Sequence, residues 1–189
     1  MISRILLTFA IALIAVFSFL THAVAQQRDH LTQQEVDLVK EAQILDKRID
    51  VFIKATERRI MVINGSATAA ANAKQLKKDS EKGWGELPTG SRAELVSDIA
   101  KILDEAITNI DDVSARDERN PLIAKSLRKL AQATNTIMSQ LKPLATEAKS
   151  EAEVASFELL NEDAQSIMEA ANKLPPEVVT DKKDKKKNN

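Results

Sequence analysis

Residues 91–113 read SRAELVSDIAKILDEAITNIDDV, and this stretch decides the fold class. Ser91 and Glu94 have the S-x-x-E spacing of a capping box, in which each side chain satisfies a backbone N–H that the first helical turn leaves unpaired. Val96, Ile99, Leu103, Ala106, Ile110 and Val113 then recur every three or four residues. That period gathers them on one stripe of a helix.

The same grammar extends in both directions. Upstream, Thr32 and Glu35 form another capping box. The seam Leu31, Leu38, Ala42, Leu45, Ile49, Phe52, Thr56, Ile63 predicts one helix over about 31–63, some 50 Å long at ~1.5 Å per residue. Asn64–Gly65 should stop it. Downstream, Asn120 before Pro121 is a favoured cap and first position. The seam Ile123, Leu127, Leu130, Thr134, Ile137, Leu141, Leu144 gives a helix over about 121–145, which Pro143 should kink or end. A third box, Ser150 and Glu153, opens a helix over about 151–174 with the seam Val154, Phe157, Asn161, Ala164, Met168, Ala171. With the helix over about 92–115, these make four.

All four glycines (65, 83, 85, 90) fall in the connector between the first two helices. There, Ala67–Leu76 reads as a helical spur, and Gly83–Pro88 cannot be regular helix. The expected architecture is all-α: an antiparallel four-helix bundle with a long Gly-containing connector. A long hairpin that completes its core by dimerising is the alternative.

The ends carry different signals. Arg4 is followed by an apolar run from Ile5 to Leu20, then by Ala23-Val-Ala25. This is the order of a signal peptide, with cleavage between Ala25 and Gln26 expected and a retained anchor as the alternative. The address implied is periplasmic or secreted. Residues 26–176 are then the helical domain. Residues 177–189 hold five lysines and read as a disordered basic tail, either a solubilising end or a weak contact with an anionic surface.

Composition removes several chemistries. There is no cysteine, so disulfides, thiolate ligands and a cysteine nucleophile are excluded. After the leader, His30 is the one histidine, and no Glu-x-x-His pair is present. No metal or cofactor site is expected. The net charge of −1 gives no bulk attraction to nucleic acid. The paired acids Asp104–Glu105, Asp111–Asp112 and Glu162–Asp163 read as solvated faces, although a hydrolase using such pairs is a third reading.

Two features are candidate partner contacts. Trp84, the lone tryptophan, sits between two glycines and is either a binding anchor or a plug at the end of the bundle. Arg116, Arg119, Lys125, Arg128 and Lys129 surround the start of the third helix, where cations oppose the helix macrodipole. They mark an acidic-partner site unless neighbouring acidic helices absorb them. Arg59 falls on the first seam and is expected to snorkel at the bundle edge. By exclusion, the reading is an exported, non-enzymatic protein that binds another envelope protein or itself, as an adaptor or chaperone-like factor. The alternative is a small-ligand or ion-binding bundle.

Overall fold

The computed structural model describes residues 29–65 and 70–176. The proposed leader with its Ala25–Gln26 junction, and the Lys-rich tail, lie outside the described residues. The described chain is all-α, with six helices: α1 (Gln33–Glu41), α2 (Leu45–Ile63), α3 (Ala70–Glu81), α4 (Arg92–Arg116), α5 (Pro121–Glu147) and α6 (Glu151–Asn172).

The local signals act as expected at most helix starts. Thr32 and Glu35 form a complete box on α1, and Ser91 and Glu94 form another on α4. Asn120 accepts from the Leu122 N–H at 3.0 Å, with Pro121 opening α5. On α6 only half of the third box forms. Ser150 caps the Glu153 N–H, but the Glu153 carboxylate turns to Arg92 on α4 at 2.7 Å. Pro143 does not end α5, which continues to Glu147. Pro143 and Ser139 are both exposed, so the carbonyl that loses its helical N–H can turn to water.

The count of four helices is corrected to six. The helix expected over 31–63 breaks at Ala42–Ile44, and the helical spur expected in the connector is the helix α3, which runs on to Glu81. At the break, Ile44 is extended (φ −91°, ψ 127°) and caps α2 without a side-chain hydrogen bond. Arg48 Nε donates to the freed Ala42 carbonyl at 3.1 Å. The break lets α1 fold back along α2.

The core lies between α2, α4, α5 and α6. α4 packs on α2, α5 and α6, and α5 packs on α2 and α6. Ile49, Phe52, Ile99, Leu103, Leu130 and Ile167 are fully enclosed. Residue pairs give the directions. Arg48 meets Asn109 and Arg59 approaches Asp98, so α2 and α4 run in opposite senses. Asp46 meets Lys125, while Ile60 and Ile137 line one groove further along, so α2 and α5 run in the same sense. Arg92 meets Glu153, and Asp104 faces Asp163, so α4 and α6 also run in the same sense. The expectation of antiparallel neighbours concerns long helices successive in the chain, such as α2 and α4; α2/α5 and α4/α6 are alternate long helices, which run in the same sense in an up-and-down order.

α6 is also rotated from its expected seam. Leu160, Ala164 and Ile167 are its buried residues, whereas Val154 is 42% exposed and Asn161 is exposed. Asn161 is therefore not a buried polar seam residue.

Candidate functional site

The folded-back α1 delivers Glu35 into the interior, where its carboxylate is fully buried. Arg59 grips it with a two-pronged contact, Nη1 to Oε1 at 3.1 Å and Nη2 to Oε2 at 2.8 Å. Arg58 Nε approaches the same carboxylate at 3.4 Å. One carboxylate thus faces two guanidinium groups, a cost in desolvation that good geometry must offset. Further acceptors supply the rest. Arg59 also donates to the Ala55 and His30 carbonyls and lies 3.7 Å from Asp98. Arg59 is 1% exposed, so it does not snorkel.

Arg58 organises the irregular connector. Its Nη2 donates to the carbonyls of Trp84, Gly85 and Glu86, and its guanidinium stacks 5.5 Å from the Trp84 ring centroid. Burial pushes the Arg58 pKa down, against the opposing pull of Glu35 and Asp79. Trp84 is only 8% exposed. The Trp84 ring is thus enclosed, with Arg58 stacked over it. Gly85 has φ +63°, and a Cβ there would lie 2.9 Å from Gln34 Cγ, so a side chain would be strained and would require the Gln34 side chain to shift. α3 is tied to this assembly through Lys54 and Asp79 at 3.2 Å.

The basic cluster is divided by the fold. Lys125 and Lys129 reach across to α2: Lys125 donates to Asp46 Oδ2 at 3.0 Å, and Lys129 forms an ion pair with Asp46 Oδ1 at 2.6 Å and donates to Asp50 Oδ1 at 2.7 Å. Those contacts, Lys129 first, hold the Asp46 carboxyl below its ordinary pKa. Arg128 donates to the Pro175 carbonyl at the end of α6. Arg116 is exposed and pairs with Asp112 one turn back at 3.7 Å, and Arg119 is exposed. The acidic neighbours absorb Lys125 and Lys129, so the five cations do not share one surface site.

Two contacts were not legible beforehand. His30, the one histidine after the proposed leader, meets Glu105 on α4 at 2.8 Å. Asp163 on α6 is half-buried opposite Asp104, and its pKa rises to about 6, first from burial and then from Asp104 and Glu162. The acid pairs adjacent in sequence are thus less informative than the pair formed across helices. Among the described residues, no three His, Cys, Asp or Glu side chains are grouped so as to hold a metal ion. No described helix is long and apolar enough to cross a membrane.

Two open grooves flank α5. On one side, α2 and α5 bound a space of about 430 Å³. Its apolar floor is Ile53, Ile60, Ala133 and Ile137, and its exposed rim includes Gln132, Thr136 and Gln140. The rim charges Asp50 and Glu57 are already engaged by lysines. On the other side, α5 and α6 bound about 410 Å³, lined by Met138, Leu141, Ala145, Phe157, Leu160 and Asn161 among others. No family model, curated protein or solved structure matches this chain.

Proposed function

We propose that this is an exported, non-enzymatic protein-binding factor whose receptor surface is the α2/α5 groove. Residues 1–25 act as a cleaved leader, and α2, α4, α5 and α6 form a four-helix bundle that holds the groove rigid. The supporting observation is the groove itself: an apolar floor about 430 Å³ in volume, rimmed by neutral amides and a hydroxyl. Its nearby charges are already paired, so the occupant is selected by an apolar ridge more than by charge. An amphipathic helix presenting residues at three and four spacing fits that shape.

The test is a photocrosslinking residue placed at Thr136, on the rim, with the same residue at exposed Thr108 on α4 as control. In cells making the full chain, a discrete protein adduct is expected from Thr136 and not from Thr108. Ile53→Glu should abolish it while circular dichroism shows an unchanged helical spectrum. Equal adducts from both positions, or none from Thr136, would overturn the proposal. A small molecule retained on the purified chain in native mass spectrometry and displaced by Ile53→Glu would replace it with the ligand-carrier reading.

A further inference from the structure

We infer that the buried site of Arg58 and Arg59 also receives α1 from a second copy of this chain, so that two copies dimerise by exchanging their first helices. The sequence across the break at Ala42–Ile44 carries the argument. Glu35, Leu38 and Ala42 before it and Leu45, Ile49 and Phe52 after it are spaced by three and four residues in strict alternation, and Thr56 and Arg59 continue the line. In one straight helix they all share a face. No Gly or Pro in the break opposes that helix. The bend itself is lightly held. Ile44 caps α2 without a side-chain hydrogen bond and is 56% exposed. Among the described helices, α1 packs along α2 alone. A hinge of three residues between two segments that can join in phase is the usual setting for an exchange of elements.

The closed chain shows what the second copy supplies. Glu35 meets Arg59 and Arg58, and His30 meets Glu105 and accepts from Arg59 through its carbonyl. Within one chain, Glu35 reaches Arg59 only through the turn. Between two straightened helices running antiparallel, it reaches the other copy's Arg59 with no turn at all. The register places the two-fold axis midway between positions 35 and 59, beside Lys47, whose charge Asp50 balances at 3.8 Å. Ile44 lies within one turn of that axis, where the other copy covers it. Each contact of the clasp is then made twice. Arg58 and Arg59 are 0% and 1% exposed, so a bundle that loses its own α1 holds two buried guanidinium groups without their carboxylate. The first helix of another copy carries the same carboxylate in the same surroundings. No residue of α1 lines the α2/α5 groove, so the exchange holds or fails apart from the function proposed above.

The absence of cysteine makes a direct test possible. Asp29 and Thr89 are exposed and line one small cleft, where the segment before α1 meets the connector. One chain carries Asp29→Cys and a second carries Thr89→Cys, each made as residues 26–189. They are mixed at about 1 mM, where even weak association is populated, and treated with a short bis-maleimide. Exchange places the two positions together across chains, so mass spectrometry should find the mixed adduct. Asp29→Cys mixed with Thr136→Cys, an exposed position on α5, should give at least tenfold less. Adding Ile44→Pro to both chains should cut the mixed adduct a hundredfold or more, because proline clashes with the carbonyl four residues back in a straight helix. Ile44→Ala, which permits that helix, should keep it. Absence of the mixed adduct would overturn the inference, as would equal adducts from the Thr89→Cys and Thr136→Cys mixtures. A dimer seen by sedimentation without the mixed adduct would assign the contact to another surface and refute the exchange. If Ile44→Pro fails to fold, by circular dichroism, the comparison of the two mixtures decides alone.

Discussion

Glu35 and Arg59 are 24 residues apart in the chain and meet at 2.8 Å. In one unbroken helix their backbones would be separated by about 36 Å at ~1.5 Å per residue. The turn at Ala42–Ile44 closes that distance and makes α1 a clasp on the outside of α2. The clasp is secured by charge in the interior, in addition to the half-buried Val36, Leu38 and Val39 that pack against the core.

Removing the carboxylate should therefore be severe. Glu35→Gln is expected to destabilise the fold by about 3–5 kcal/mol, the range for breaking a buried ion pair by deleting one partner. Asp37→Asn, on the exposed face of the same helix, should change stability by less than about 0.5 kcal/mol. Urea unfolding of the two variants side by side checks this.

The approach of α1 to the connector depends on Gly85. Gly85→Ala should cost about 1–2 kcal/mol for the left-handed backbone, with a further loss from the collision with Gln34. Adding Gln34→Ala should recover only the collision part. A thermal melt of the single and double variants separates the two causes.

Two carboxylates on α6 give opposite dependences on pH. The Asp163 pKa is raised from 3.8 to about 6, so the folded state favours its neutral form. Its stabilising contribution is present below 3.8 and is lost as pH rises through 6. Asp163→Asn should raise stability above pH 7, by roughly 1 kcal/mol once solvent screening of this half-buried group is allowed for. It should have little effect at low pH. Glu153 is lowered from 4.5 to about 2, first by Arg92. Its contribution is present above 4.5 and is lost as pH falls through 2. Arg92→Ala should return the Glu153 carboxyl toward its ordinary titration, as read by NMR.

Thr134 is fully buried, and its hydroxyl has no hydrogen-bond partner. Thr134→Val replaces an unsatisfied oxygen with a methyl group of similar size and should stabilise by roughly 1 kcal/mol. A lower melting temperature would instead assign the hydroxyl a register-fixing role.

These residues also mark what a linear reading can and cannot reach. The caps at Thr32, Ser91 and Asn120 were legible because partner and acceptor lie within three residues of one another. The seams of α4 and α5 were legible because their three-four spaced residues, such as Val96, Ile99, Leu103, Leu130, Ile137 and Leu141, are the ones the neighbouring helices cover. The break at Ala42–Ile44 was not, because no glycine or proline marks it. It exists because Glu35 finds Arg58 and Arg59 only when the chain turns. The rotation of α6 escaped for a related reason. Val154 and Leu160 are equally apolar, and the positions of α4 and α5 decide which one is covered. Lys125 and Lys129 looked like a site because the sequence does not show that Asp46 and Asp50 lie across from them.

The stacking of Arg58 on Trp84 gives the molecule an internal optical reporter. The chain contains one tryptophan and no tyrosine, so long-wavelength protein emission arises at a single place. That place sits beneath a guanidinium which also holds the connector carbonyls and approaches Glu35. Release of α1 or of the connector would uncover the indole and shift its emission to the red, while helix content reports the rest of the fold. The unlabelled protein can thus be followed in solution with one signal for the clasp and another for the helices.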